Sequence, residues 1–190
     1  MSKFVLIDGH SILNRAFYGV PIFTNSEGLH TNAVFGFLNI MFKIIDSKQP
    51  DYMAVAFDVH QPTFRHEMFK DYKGTRKPMM EELREQVPVI KELLQKMNIT
   101  TVELPGYEAD DVIGTLSKKG EKADMEVDVI SGDRDLLQLA SDHITICIPK
   151  TKKGQTTVEE YNTEGVMKLY KVTPTEFIDV KALMGDSSDN

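Results

Sequence analysis

The sequence predicts an α/β fold, a mostly parallel central sheet flanked by helices, and two observations carry that expectation. Short apolar, β-rich runs alternate with longer segments of helical spacing. Several of the apolar runs end in acid, as strands of an open sheet do where a site forms at their carboxyl ends. At 190 residues with 41% hydrophobic content, residues 1–190 are long enough for one domain with a sizeable core.

Taken in order, the strand candidates are residues 4–7, 52–57, 99–104, 127–130 and 144–148. Between the first two, residues 31–48 place Val34, Phe35, Phe37, Leu38, Met41, Phe42 and Ile45 at helical spacing. Residues 81–97, 108–118 and 133–140 read as further helices. Near the end, Thr173, Pro174 and Glu176 fit the N-cap, first and third positions of a capping box that opens a helix toward Met184. Residues 61–78 have weak periodicity around Gly74 and exceed the usual connection of about 2–6 residues, which marks a functional loop or clamp. The run KTKKG at 150–154 reads as an exposed turn after the fifth strand.

Composition narrows the class. No stretch approaches the ~18 to 20 apolar residues of a membrane span, and the start MSKFVLIDGH has no signal-peptide pattern, so a cytoplasmic protein without membrane contact is expected. Cys147 is the only cysteine, which excludes an internal disulfide and a cysteine-based zinc site; in its apolar strand it reads as packing. The net charge of −7 argues against a uniformly basic coat, but residues 61–80 carry Arg65, Lys70, Lys73, Arg76 and Lys77 against only Glu67 and Asp71. One surface of an acidic protein is thus set aside for an anion.

The acids form the sharper pattern. Asp8 follows FVLI, Asp58 follows YMAVAF, and Asp133 and Asp135 come just past VDVISG. Glu108, Asp110 and Asp111 add three carboxylates at the first turn of a helix after the third strand. Each alone is an ordinary turn former, N-cap or dipole-compensating residue. Gathered at one rim they would repel one another strongly unless cations neutralise them. A carboxylate set without cysteine or paired histidine suits Mg²⁺, with Mn²⁺ able to substitute, and two such ions form the usual clamp for phosphodiester hydrolysis. His10, His30, His60, His66 and His143 lack ligand spacing. The IDGH and SGDRD turns match neither a Walker nor a dinucleotide-binding spacing.

The motifs IDGHSILNRAF, FRHEMFKDYKGTRKP, GYEADDVIGTL, SGDRDLLQL and ALMGDSSDN, in this order and spacing, resemble the 5′-nuclease and flap-endonuclease family. The likeness is greatest to the N-terminal 5′-3′ exonuclease domain of bacterial DNA polymerase I. It implies a PIN-like 5′-nuclease core with a helical-arch insertion at about 61–84. It implies that Asp8, Asp58, Glu108, Asp110 and Asp133 surround one metal position, while Asp111, Asp135, Asp186 and Asp189 serve the second or its surroundings. Lys73 and Arg76 match arch residues that contact the scissile phosphate, and Tyr72 matches a position near the frayed end of the DNA. Arg65 and Lys77 complete the expected DNA-binding set; Arg65 could instead pair with a carboxylate at the edge of the core.

The activity implied is structure-specific 5′-3′ exonuclease and flap-endonuclease cleavage of DNA with a 5′ flap or branched end, in replication and repair, by a monomer. The family continues past GDSSDN into a helix-turn-helix module that grips duplex, so this sequence is expected to lack that clamp. Two alternatives stand beside the nuclease: a DNA-binding fragment without turnover, and a PIN-like ribonuclease, against which the long basic insertion and the full set of acids speak.

Overall fold

The computed structural model describes residues 1–152 and 155–185, with the side chains of 151, 152, 155 and 156 left aside. The elements run β1 (Lys3–Asp8), α1 (Gly9–Gly19), α2 (Asn32–Lys48), β2 (Tyr52–Ala56), α3 (Phe64–Met68), α4 (Glu81–Arg84), α5 (Gln86–Lys96), β3 (Thr100–Val102), α6 (Ala109–Lys122) and β4 (Glu126–Ile130). A 3-10 turn (Arg134–Leu139), β5 (Ile144–Lys152), β6 (Gln155–Tyr161), α7 (Thr163–Tyr170) and α8 (Glu176–Met184) follow. Among the described residues the strands form one sheet of order β3-β2-β1-β4-β5-β6, parallel except for the antiparallel pairing of β5 with β6.

That order reverses direction at β1. The chain winds outward through β2 and β3, then returns to lay β4 on the other side of β1. The loops after β1 and β4 therefore diverge, and a crevice opens between their carboxyl ends, the usual ligand position in open α/β sheets.

Both faces of the sheet are covered, so its central strands are mostly apolar and do not alternate regularly with polar residues; the exception in β4 is the buried Asp128, paired with Lys48 at 2.8 Å. Val5, Ile7, Val55, Phe57, Ile130 and Cys147 face α1, α2 and α5. Leu6, Ala54, Ala56, Val127, Val129, Ile144 and Ile146 face α6, the 3-10 turn, α7 and α8. Helix α1 starts directly at the end of β1 because the Asp8 side chain accepts from the Ser11 backbone N–H at 3.0 Å. Gly9 lets that first turn lie against Phe57, whose ring a methyl group at residue 9 would overlap.

Several expectations are corrected. The helix expected over 81–97 is split at Glu85 into α4 and α5, since Pro88 has no N–H to offer the Arg84 carbonyl. The segment expected as a helix over 133–140 is a 3-10 turn capped by Asp133. Strand β5 runs on to Lys152, so Lys150, Thr151 and Lys152 belong to a strand and not to the expected turn; residues 153 and 154 lie outside the described residues. Helices α1, α3 and α7 and the polar edge strand β6 were not anticipated as separate elements. The capping box at Thr173 is present: Thr173 N–H donates to Glu176 Oε2 at 2.8 Å, and Glu176 N–H to Thr173 Oγ1 at 3.2 Å. Among the described residues no helix is long and apolar enough to cross a membrane.

Candidate active site

The crevice at the reversal is lined by the acids that end the strands. Asp8, at the end of β1, is buried and accepts from Ser131 Oγ at 2.8 Å as well as from Ser11. Ser131 in turn accepts from the Asp133 N–H at 3.0 Å, and Gly132 N–H donates to Ser11 Oγ at 2.8 Å. These bonds tie the loop after β4 to the start of α1. Asp133 caps the 3-10 turn by accepting from Asp135 N–H at 2.8 Å. Asp58, past the end of β2, accepts from Ala109 N–H at 2.7 Å and so anchors the first turn of α6, which carries Glu108, Asp110 and Asp111.

The charge is only partly compensated. Burial raises Asp110 to about 8, helped by Asp8, Asp133, Asp58 and Glu108 in that order. Asp8 is raised to about 6, chiefly by burial and further by Asp58 and Asp133, against the hydrogen bonds from Ser11 and Ser131. Five carboxylates, Asp8, Asp58, Glu108, Asp110 and Asp133, thus feel one another. Their donor set is all oxygen, the chemistry that suits a hard divalent cation. Among the described residues no three histidine or acidic side chains are drawn tightly enough to share one ion as they stand.

Cations of the basic insertion compensate the outer acids. Residues 64–76 fold down over the first turn of α6. Arg65 makes a two-pronged contact with Asp111 at 2.7 and 2.8 Å, Lys73 Nζ lies 2.8 Å from Glu108 Oε1, and Tyr72 O–H donates to Glu108 Oε2 at 3.1 Å. Arg65 holds Asp111 well below the usual carboxylate range. Lys73 adopts φ +57°, a left-handed backbone uncommon for a residue with a side chain. The tight turn needs it: Gly74 and Arg76 N–H groups bond back to the Asp71 and Lys73 carbonyls at 2.9 and 3.0 Å.

Of the expected site residues, the structure brings together Asp8, Asp58, Glu108, Asp110, Asp111 and Asp133 with Arg65, Tyr72, Lys73 and Arg76. Asp135 lies on the same cleft but is held by Lys181 of α8 at 2.8 Å. Lys77 is exposed and does not line the cleft. Asp186 and Asp189 lie outside the described residues.

Three participants escaped the sequence reading. Ser11 and Ser131 position the acids. Arg15 lines a second hollow of about 410 Å³ with Ser11 and Gly132, and its Nε is buried without a hydrogen-bond partner. The signal was present: Asp8, Ser11 and Arg15 recur at i, i+3 and i+7, one face of the helix that follows β1. His10 accepts from the Asp58 N–H through Nδ1 at 3.1 Å, a structural role.

The sequence matches, over residues 3–171, the family described as 5′-3′ exonuclease, N-terminal resolvase-like domain. It is 52% identical over 188 residues to DNA polymerase I of Bacillus caldotenax, covering 99% of this chain and 21% of that one. DNA polymerase I of Bacillus subtilis (strain 168) gives the same identity and the same shares. The chain therefore spans 21% of the length of these curated relatives. A bacteriophage T5 flap endonuclease, solved as a pseudo-enzyme-product complex with DNA and metal ions, superimposes with a TM-score of 0.76 at 25% identity, over 99% of this chain and 68% of that one. Since the family match runs unbroken from β1 through the arch and the acid-bearing strand ends to α7, the chain belongs to the 5′-3′ exonuclease N-terminal domain family.

Proposed function

We propose that this chain is a divalent-metal-dependent 5′-nuclease that hydrolyses DNA phosphodiesters at a 5′ flap or branched end, with Mg²⁺ as the ion. The observation that carries the reading is the meeting of Asp8, Asp58, Asp110 and Asp133 at the sheet's reversal, directly under a basic arch. Asp8, Asp110 and Asp133, with Asp58 and Glu108, would hold the metal; once bound, such ions activate water and stabilise the leaving oxygen. The relatives named for DNA and metal ions support the same reading.

The chain's own groups bind and orient. Lys73 is 2.8 Å from Glu108 and within reach of any phosphate drawn to the acid rim, where it stabilises charge that grows in the transition state. Arg65 keeps α3 docked on α6 through Asp111 and so holds the arch in register. Arg15, in the hollow lined by Ser11 and Gly132, offers a further cation whose buried Nε has no hydrogen-bond partner.

The test is incubation of a labelled 5′-flap DNA with Mg²⁺ and with chelator, using residues 1–190. Cleavage in Mg²⁺ only is expected, with Asp110→Asn inactive and Lys73→Ala slowed by roughly 10²-fold, the scale of one transition-state donor. Cutting in excess chelator, or by Asp110→Asn at the unaltered rate, contradicts the reading.

A further inference from the structure

The cleft beside the acid rim continues past the acids. Its volume is about 650 Å³, and it runs between the arch turn and the outer face of α6 to Lys118, Lys119 and Lys122. Helical geometry explains why those three share a wall. Ala109, Val112, Ile113, Ser117 and Gly120 form the buried side of α6, and residues 118, 119 and 122 fall on the opposite side, 118 and 122 one turn apart. Lys118 is pinned by Glu121 at 3.1 Å. Lys119 and Lys122 are exposed, and no carboxylate among the described residues pairs with either.

We propose that this lysine-ended arm of the cleft is the track for the unpaired 5′ strand beyond the bond that is cut, with Lys119 and Lys122 on its phosphates. The proposal rests on the nuclease reading. A cleft of this volume has the size of a small-ligand site, roughly 300–1,000 Å³, a scale that suits a few nucleotides of a single strand. Its charge changes sign along its length, from carboxylates at the rim to unpaired cations at the far end. The distance fits several nucleotides, since α6 rises about 16 Å from Asp111 to Lys122 at about 1.5 Å per residue. A phosphodiester strand whose reacting phosphate is at the acid rim would present its next phosphates to the lysines, a contact indifferent to sequence. The competing account gives Lys119 and Lys122 only a role in compensating the helix C-terminus. That account predicts a loss of stability and no dependence on the 5′ strand.

The experiment compares the wild-type chain with the Lys119→Ala, Lys122→Ala double variant, and with Lys96→Ala as an exposed-lysine control on α5. Two Mg²⁺-dependent cleavage substrates are used, one with a long 5′ single strand and one whose 5′ strand ends at the junction. Binding of a labelled oligothymidylate is measured beside them in chelator. The double variant is expected to show a several-fold higher KM on the long-flap substrate, an unchanged KM on the flapless one, and weaker oligothymidylate binding. Its salt dependence should be shallower by about 1.4 in log–log slope, at ~0.7 per single-strand phosphate contact. Equal losses on both substrates, or oligothymidylate binding like that of wild type, overturn the track. If the wild-type chain cuts nothing yet binds the oligonucleotide through the two lysines, the nuclease reading fails and the strand track stands.

Discussion

Asp110 and Asp111 are neighbours in sequence with opposite electrostatic fates. The two side chains leave α6 about 100° apart, so Asp111 meets Arg65 and is pushed down, while Asp110 faces the other acids and is raised to about 8 by burial and by Asp8, Asp133, Asp58 and Glu108. The sequence EADD marks both residues but not which one turns inward. The sign of the stability effect follows from Asp110. Between its unfolded value near 3.8 and its folded value of about 8, the folded state holds a proton that the unfolded chain has lost. The contribution of Asp110 to stability should therefore be fully present below about pH 4 and decline as pH rises toward 8, with Asp8 adding to the decline up to about 6. In chelator, wild-type protein should melt lower at pH 8 than at pH 5, and Asp110→Asn should melt higher than wild type at pH 8 with a flatter profile. A wild-type profile that rises across this window, or a variant that melts lower at pH 8, would show that the acids are already compensated.

At the scale of elements, the arch is the part whose sequence was informative and whose position was not. Its basic composition was plain, and a charged loop is ordinarily solvated. Here α3 and the following turn are fastened to α6 by Arg65 on Asp111 and by Lys73 and Tyr72 on Glu108, each charged hydrogen bond worth about 1.5–3 kcal/mol. Glu108 is the hub, being buried and shared by Lys73, Tyr72 and, at 3.6 Å, Arg65. Replacing it with glutamine removes the charge that holds Lys73 and leaves the shape. Glu108→Gln should therefore raise the rate of tryptic cleavage at Lys70, Lys73 and Arg76 several-fold under native conditions, with sites in α5 unaffected. Digestion at the wild-type rate would mean that Glu108 does not hold the arch. Other elements were missed for local reasons. The edge strand β6, QTTVEEY, is polar because it pairs on one side only, so its alternation is weak. In α1 the apolar face, Ile12, Leu13, Ala16 and Phe17, covers little more than one turn, too short a run for its period to stand out in sequence.

For the whole molecule, the acids that meet at the sheet's reversal raise one another and cost stability, and a bound cation should return it. An ion that binds the folded state alone stabilises by about 2.7 kcal/mol when present at 100 times its Kd, which for a domain of this size raises the Tm by roughly 5–10 °C. Thermal melts in Mg²⁺ and in chelator, matched in ionic strength with KCl, should show that rise for wild type and most of it lost in Asp110→Asn. A rise that KCl reproduces would reflect general screening and not a site.

By itself the sequence determined the α/β class, the acids at the ends of the first, second and fourth strands, the acidic first turn of α6 and the basic segment between β2 and α4. All of these are local: an apolar run, a helical period or a terminal aspartate is written within about 20 residues. What only the tertiary structure decided is the strand order, which places β4 beside β1 and so joins Asp8 to Ser131 across 123 residues of chain. It decided too which carboxylates the arch neutralises and which are left to raise one another's pKa. Periodicity records the face a side chain occupies, while charge balance depends on which faces the sheet brings together, and that is settled by packing along the whole chain.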